Sequence, residues 1–309
     1  MSIPASHLGI EIGGTKLQIV QGDAAGNIRR RWRATVDRQR GGPGILDQLR
    51  AGISELTQGG SKRPAAVAVG FGGPVDWARG RVRVSHQIPG WEDFALQDWL
   101  EQAAWAPVVV ENDANTAALG EATCGAGQGR DPVFYVTLGS GVGGGLVAGG
   151  RIYHGAVPGE AEFGHLRLDR EGTTVESRCS GWAVDRRVRR LTDEEPTSLL
   201  ARSLDPETGG EAKKILPAML AGDPAAGRVV REIAADLAFA LSHAVHLFHP
   251  QMIVLGGGLS LVGEPLRTAV AAHLPLHVME AFAPGPEVRL AALGEDSVPV
   301  GALCLSARA

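Results

Sequence analysis

Apolar and polar positions in the first twenty residues form one interrupted pattern. Leu8-Gly9-Ile10-Glu11-Ile12 predicts a strand, the pattern breaks at Gly13-Gly14-Thr15-Lys16, and Leu17-Gln18-Ile19-Val20 resumes it. This is a hairpin with a polar, glycine-rich tip. The turn at Asp23 to Asn27 leads to another strand from Ile28 to Val36, and Ile45, Leu49, Ile53 and Leu56 then recur at helical spacing within residues 43 to 58. Ala65-Ala66-Val67-Ala68-Val69-Gly70 is a short continuous apolar run of the kind buried in a parallel sheet, and Val108-Val109-Val110 repeats it after a helix around Leu96 to Ala103. Strands alternate with helices, so the class is α/β.

A second cycle opens near residue 133. Strand Val133 to Leu138, a glycine tip at Gly139 to Gly145 and a continuing strand Leu146-Val147-Ala148 repeat the outline of the first cycle without its residue identities. The pattern predicts two related halves. Residues 192 to 224, rich in Pro, Gly, Asp and Glu, read as loop and short helices. Val229, Val230, Ile233, Leu237, Leu241, Ala244, Val245 and Phe248 predict a long helix ending at His249-Pro250. Met252 to Leu255 then forms a strand that runs into Gly256-Gly257-Gly258, with a helix after it.

Composition narrows the function. The 309 residues are 44% hydrophobic and 21% charged, which suits a globular chain of about two domains. Glycine numbers 43, about twice the average usage of roughly 7%, with no collagen-like period. These glycines belong to loops and close contacts. A net charge of -4 provides no chain-wide attraction to nucleic acid or anionic membrane. The densest basic stretches, Arg29-Arg30-Arg31-Trp32-Arg33 and Arg186-Arg187-Val188-Arg189-Arg190, read as solvated strand or helix faces or as local patches. Three well-separated cysteines, Cys124, Cys179 and Cys304, favour a reducing compartment. With neither a membrane-length apolar run nor a signal core, the expected location is cytoplasmic.

Three glycine turns, each after a strand, share a physical use: backbone N–H groups unshielded by Cβ atoms can wrap phosphate oxygens. The expected ligand is a nucleotide with its polyphosphate chain. No Walker loop occurs, and Gly141-Val142-Gly143 opens a strand where a dinucleotide fingerprint would open a helix.

Glu11-Ile12-Gly13-Gly14-Thr15-Lys16, Gly72-Gly73-Pro74-Val75-Asp76, Glu111-Asn112-Asp113-Ala114-Asn115, Gly139-Ser140-Gly141-Val142-Gly143-Gly144-Gly145, Glu162-Phe163-Gly164-His165 and Leu255-Gly256-Gly257-Gly258 occur in the order found in the ROK family of sugar kinases. The chain resembles that family, part of the actin-like ATPase superfamily, over nearly its whole length. The resemblance implies two ribonuclease-H-like lobes with ATP and sugar in the cleft between them, a small lobe of residues 1–112 plus 296–309 and a large lobe of 113–295. It implies that Glu11, Gly13, Gly14, Thr15, Lys16, Gly139, Ser140, Gly141 and Gly143 serve the phosphates of ATP and its magnesium ion, and that Gly256, Gly257 and Gly258 serve the adenosine. Asp113 matches the catalytic base, while Gly73, Asn112, Glu162 and His165 match sugar-binding positions. Asn112 and Asp113 also suit a helix cap before Ala114 to Glu121. Homodimers are common among relatives.

Three departures stand out. Glu11 replaces the usual aspartate, with one more methylene. The structural zinc site of the family joins the histidine of Glu-x-Gly-His to three cysteines; here the corresponding segment is Arg178-Cys179-Ser180-Gly181-Trp182-Ala183-Val184-Asp185, and one cysteine with one histidine cannot close a four-ligand site. No structural zinc is expected. Asp185 is either a replacement for the family's sugar-binding glutamate or a surface helix carboxylate. Gln87 stands where relatives often carry asparagine.

His243, His246 and His249, at helical spacing without carboxylate or cysteine partners, read as interface or partly buried side chains. Trp182 reads as a core or dimer contact ahead of a sugar-stacking platform. The expected activity is ATP-dependent phosphorylation of a hexose or hexose derivative, most simply glucose to glucose 6-phosphate. Other acceptors, an N-acetylhexosamine, fructose, allose or a cyclitol, share the same logic, and a non-catalytic sugar-binding regulator is the alternative class. The DNA-binding members of the family carry a helix-turn-helix before the first hairpin, where this chain has seven residues before Leu8.

Overall fold

The computed structural model describes residues 6–85, 88–157, 159 and 161–309. Gln87 lies outside them. Strands β1 (His7–Ile12), β2 (Lys16–Gly22) and β3 (Ile28–Thr35) form an antiparallel meander. Helix α1 (Gly41–Leu56) buries Ile45, Leu49, Ile53 and Leu56, the apolar positions that its spacing predicts, and crosses to β4 (Ala66–Phe71), which runs parallel to β1. All six residues of β4 are buried, so its sequence is apolar without alternation. A short ribbon of β5 (Val75–Asp76) and β6 (Arg81–Val82) and helix α2 (Leu96–Ala104) precede β7 (Val108–Asn112), parallel to β4. The first sheet therefore has the order β3-β2-β1-β4-β7.

After helix α3 (Asp113–Cys124) the cycle repeats. Strands β8 (Val133–Leu138), β9 (Val142–Ala148) and β10 (Arg151–Ile152) are followed by α4 (Val175–Cys179), α5 (Gly181–Glu194), α6 (Leu199–Arg202), α7 (Ile215–Leu220) and the long α8 (Pro224–Phe248). Strand β11 (Met252–Gly256) pairs parallel with β8, helix α9 (Glu264–His273) follows, and β12 (Glu287–Leu290) pairs parallel with β11. The second order, β10-β9-β8-β11-β12, matches the first position for position. The two related halves read from the sequence share a topology.

Helix α10 (Ser297–Ser306) closes the chain. No helical stripe predicts it, because eight of its ten residues are buried. It lies against α3 at a crossing that only glycine permits: a Cβ on Gly301 would fall 1.8 Å from the Thr116 carbonyl oxygen, and one on Gly120 would fall 2.4 Å from that of Ser297. This contact helps to set the division of the chain. One compact unit extends to Gly129 and includes residues 145–161 and 292–309; the other holds 130–144 and 162–291. The boundary expected after residue 112 is displaced, because α3 packs on α10 and β4. A second correction concerns the glycine tip of the second hairpin. Its glycines continue into β9 from Val142, and Gly145 passes so near α3 that a Cβ would lie 2.8 Å from that of Ala118.

Candidate active site

Strand β7 ends at Asn112, and the side chain of that residue caps α3. Its Oδ1 accepts from the backbone N–H groups of Ala114 (2.8 Å) and Asn115 (3.1 Å), while its Nδ2 donates to the Gly73 carbonyl at 3.3 Å. Capping occupies the oxygen, and among the described residues the amide nitrogen donates to Gly73, so a second N–H remains for a ligand. Capping and sugar binding are thus compatible at Asn112. Asp113 opens the helix, its Oδ1 accepting from the Ala114 N–H at 2.8 Å.

The other carboxylate oxygen of Asp113 borders the first glycine hairpin. A Cβ on Gly72 would stand 3.3 Å from Asp113 Oδ2, 3.2 Å from the Ile12 carbonyl oxygen and 3.6 Å from Gly13 Cα. The absence of that single carbon brings the ends of β1, β4 and α3 together. Gly13 N–H closes the hairpin on the Lys16 carbonyl at 3.0 Å, Thr15 is exposed at the tip, and Arg38 Nε holds the Gly14 carbonyl at 2.9 Å.

Glu11, opposite Gln18 in the register of β1 and β2, is half-buried between Gln18 and Lys16. Lys16 Nζ lies 3.4 Å from its carboxylate. Burial raises its pKa above the usual glutamate value, and Lys16 and Gln18 oppose that rise. A desolvated carboxylate whose charge is incompletely compensated, with hard oxygen donors, fits a magnesium ion. Gln18 continues the network, accepting from Arg31 and Arg33, which pair with Asp296 and Glu295. Much of the basic stretch on β3 is thereby neutralised within its own unit.

The second hairpin is dressed differently. Gly139 N–H donates to the Gly141 carbonyl at 2.9 Å, and Gly181 N–H, at the start of α5, donates to the Gly139 carbonyl at 2.7 Å. Glu176 of α4 accepts from the Val142 N–H at 2.9 Å, and its Oε2 would lie 2.5 Å from a Cβ on Gly141. Ser140 and Gly143 flank this turn. Gly257, at φ 81°, lies against the end of β8, where a Cβ would fall 2.6 Å from the Leu138 backbone. The Gly256–Gly258 turn and the second hairpin therefore share one end of their sheet, after the neighbouring parallel strands β11 and β8.

Glu162 and His165 flank a single 3-10 turn pinned where Gly164 meets the Val142 carbonyl. Their side chains are 53% and 74% exposed and 3.8 Å apart, available to a ligand and otherwise lightly held. Asp185 has a different use: its carboxylate accepts from the N–H groups of Gly210 (3.1 Å) and Ala212 (2.7 Å). Together with Trp182, Arg186, Arg189 and Glu211 it lines a pocket of about 580 Å³. The residues in place do not suit a structural zinc: Cys179 is buried with its thiol near the Ile233 carbonyl, and burial pushes its pKa up to about 12, whereas a zinc ligand must be a thiolate. His243 packs on Phe239, and His246 and His249 pack on Phe282.

Two charged positions escape the sequence reading. Glu121, fully buried, accepts from the N–H groups of Ala126, Ala292 and Leu293 and from the Ser297 hydroxyl, tying the points where the chain leaves and re-enters its unit. Glu111 is nearly as buried and is held by His154. Four-way hydrogen bonding of one carboxylate leaves no periodic signal, though Glu111 does stand inside the Glu-Asn-Asp motif.

Comparison with known proteins shows the family. The ROK family model matches residues 7–309. A glucokinase of Halalkalibacterium halodurans is 33% identical over 307 residues, covering 96% of this chain and 93% of the relative. The crystal structure of a ROK family glucokinase from Streptomyces griseus, in complex with glucose and AMPPNP, is 32% identical with a TM-score of 0.85, covering 98% of this chain and all of that one. A ROK hexokinase from Thermus thermophilus superposes with a TM-score of 0.81 at 28% identity, over 98% of each chain. With the repeated actin-like ATPase topology, the glycine turns at the strand ends and a family match over almost its full length, the chain belongs to the ROK family.

Proposed function

We propose that this ATP-dependent sugar kinase takes glucose as its acceptor and uses Asp113 as its general base. The supporting observation is the meeting of Asp113 Oδ2 with the Gly13 hairpin across the bare α-carbon of Gly72. A base that deprotonates a hydroxyl in phosphoryl transfer has to stand beside the groups that hold the phosphates. Asp113 has that relation to the first hairpin within one unit.

In this reading the second amide hydrogen of Asn112 and the Gly73 backbone orient the sugar, with Glu162 and His165 contributing from their exposed turn. Asp113 accepts the hydroxyl proton as the sugar oxygen attacks the terminal phosphorus and ADP departs. Glu11 would hold magnesium, whose charge offsets that of the phosphates. The N–H groups around Gly13 to Lys16 and Gly139 to Gly143 serve the phosphates. Adenosine is assigned to the Gly256–Gly258 turn and the pocket of Trp182 and Arg186, since the 211–214 segment bordering that pocket packs on the 258–262 turn. Asp185 is assigned to shaping that pocket through the Gly210 and Ala212 amides, apart from the sugar. Glucose as acceptor is supported by the two glucokinases above.

The test is ADP release with MgATP against a panel of hexoses, N-acetylhexosamines and cyclitols, in parallel with Asp113→Ala. Glucose-dependent release that the variant loses is the expected result. Release with another acceptor alone would reassign the substrate. Sugar binding without release would replace the kinase by a sugar-binding regulator.

A further inference from the structure

Behind Asn112 and Asp113 lies a buried carboxylate that the phosphoryl transfer itself does not use. Glu111 is the fourth residue of β7, and its side chain is 3% exposed. Its Oε1 accepts from the backbone N–H of Asn112 at 2.8 Å and from Nδ2 of Asn115 at 3.1 Å. Its Oε2 lies 2.5 Å from Nε2 of His154, just after β10. The imidazole in turn stacks on the indole of Trp77, with centroids 4.1 Å apart and planes 18° from parallel. Gly159 closes over this stack, where a Cβ would meet Trp77 Nε1 at 2.8 Å and His154 Cβ at 3.2 Å. The chain of contacts thus runs from Trp77 through His154 and Glu111 to both ends of the Asn112–Asn115 cap.

We infer that His154 is a positioning residue for the sugar site, acting through Glu111. The inference rests on the kinase reading above for its consequence in catalysis, and on the geometry alone for its structural part. An ionised carboxylate taken out of water is costly unless its oxygens receive hydrogen bonds. The His154 N–H gives Oε2 such a donor, and Trp77 fixes the plane of the ring so that the donor stays aimed. The charge-assisted bonds on Oε1 then hold the strand-to-helix corner from which the Asn112 amide and the Asp113 carboxylate project. Neither Glu111 nor His154 needs to touch the sugar.

The discriminating variants are His154→Phe, which keeps the ring stack and removes the donor, and His154→Gln, which restores an amide donor at that reach. Each is measured for glucose and ATP kinetics and for amide hydrogen exchange over residues 108–118. His154→Phe should lower kcat/KM for glucose by about 10- to 100-fold, the cost typical of slight misplacement, with KM for ATP unchanged. It should also speed exchange at the Asn112 and Asn115 amides, and His154→Gln should recover most of both properties. If His154→Phe does not fold, His154→Ala with and without added imidazole takes its place, and imidazole should recover the activity and slow the exchange.

Equal losses in the Phe and Gln variants would overturn the inference, as would wild-type kinetics and exchange in His154→Phe, or no response to imidazole in His154→Ala. If the parent protein releases no ADP with any sugar, the kinase reading fails by itself. The exchange measurements then still decide whether His154 holds the corner.

Discussion

The two glycine-tipped hairpins occupy the same place in sheets of the same strand order, yet they are built for different neighbours. The first carries its charges on its own strands, with Glu11 half-buried beside Lys16 and Gln18, and it meets Asp113 across Gly72. The second carries no charged residue between Val133 and Ala148, takes a carboxylate from outside in Glu176, and meets the Gly256–Gly258 turn. Repetition of the topology supplies two glycine turns at strand ends. In the proposed reading side chains then divide the labour: the first hairpin takes proton and metal chemistry, and the second serves phosphates beside the Gly256–Gly258 turn, to which the nucleoside is assigned.

Six substitutions would break or sharpen that contrast. The largest effect is expected from Asp113→Ala, which should lower kcat by about 10²- to 10⁴-fold, the usual contribution of a general base, while circular dichroism shows the fold retained. Glu11→Gln should follow, with MgATP-dependent turnover about 100-fold lower through loss of electrostatic stabilisation. That variant should also separate function from stability. Burial makes folded Glu11 hold its proton more tightly than the unfolded chain does, so stability falls as pH rises from the ordinary carboxylate range through the raised folded value. Glu11→Gln lacks this cost. It should melt above the parent at pH 8, and the difference should vanish below about pH 4, where both side chains are neutral.

Gly257→Ala and Gly13→Ala compare the two turns directly. Gly257 has φ 81° and the Leu138 backbone within 2.6 Å of a Cβ, so alanine there should cost about 2 kcal/mol or more in a denaturant titration. At Gly13 the nearest atom stands 3.2 Å from a Cβ, and alanine should cost about 1 kcal/mol or less. The smallest effects belong to Glu162→Gln and His165→Ala. Both side chains are exposed, so stability should stay within about 0.5 kcal/mol while KM for glucose rises. An unchanged glucose KM in both would remove the 162–165 turn from the sugar site.

Much of this is legible in the sequence, for identifiable reasons. The hairpins, the buried parallel strands and α1 and α8 follow from periodicity, because each buries one face or lies wholly inside. Helix α10 did not, since a helix buried on nearly all sides has no stripe and its Gly301 looks like a breaker until its contact with α3 is known. The motif residues at 11–16, 72–73, 111–115 and 256–258 could be picked out by order alone. The connections behind them could not: Glu111 to His154, Glu176 to Val142 and Glu121 to the 292–297 segment join residues 34 to 176 positions apart. Asp185 shows the converse, a motif position whose carboxylate caps a neighbouring loop.

The division of labour is tested most directly by calorimetric binding to Asn112→Ala and Gly257→Ala, with glucose and a non-hydrolysable ATP analogue titrated separately, each without the other. The account predicts that Asn112→Ala loses glucose binding and keeps nucleotide binding, and that Gly257→Ala does the reverse. Two folded variants that weaken both ligands equally would contradict it.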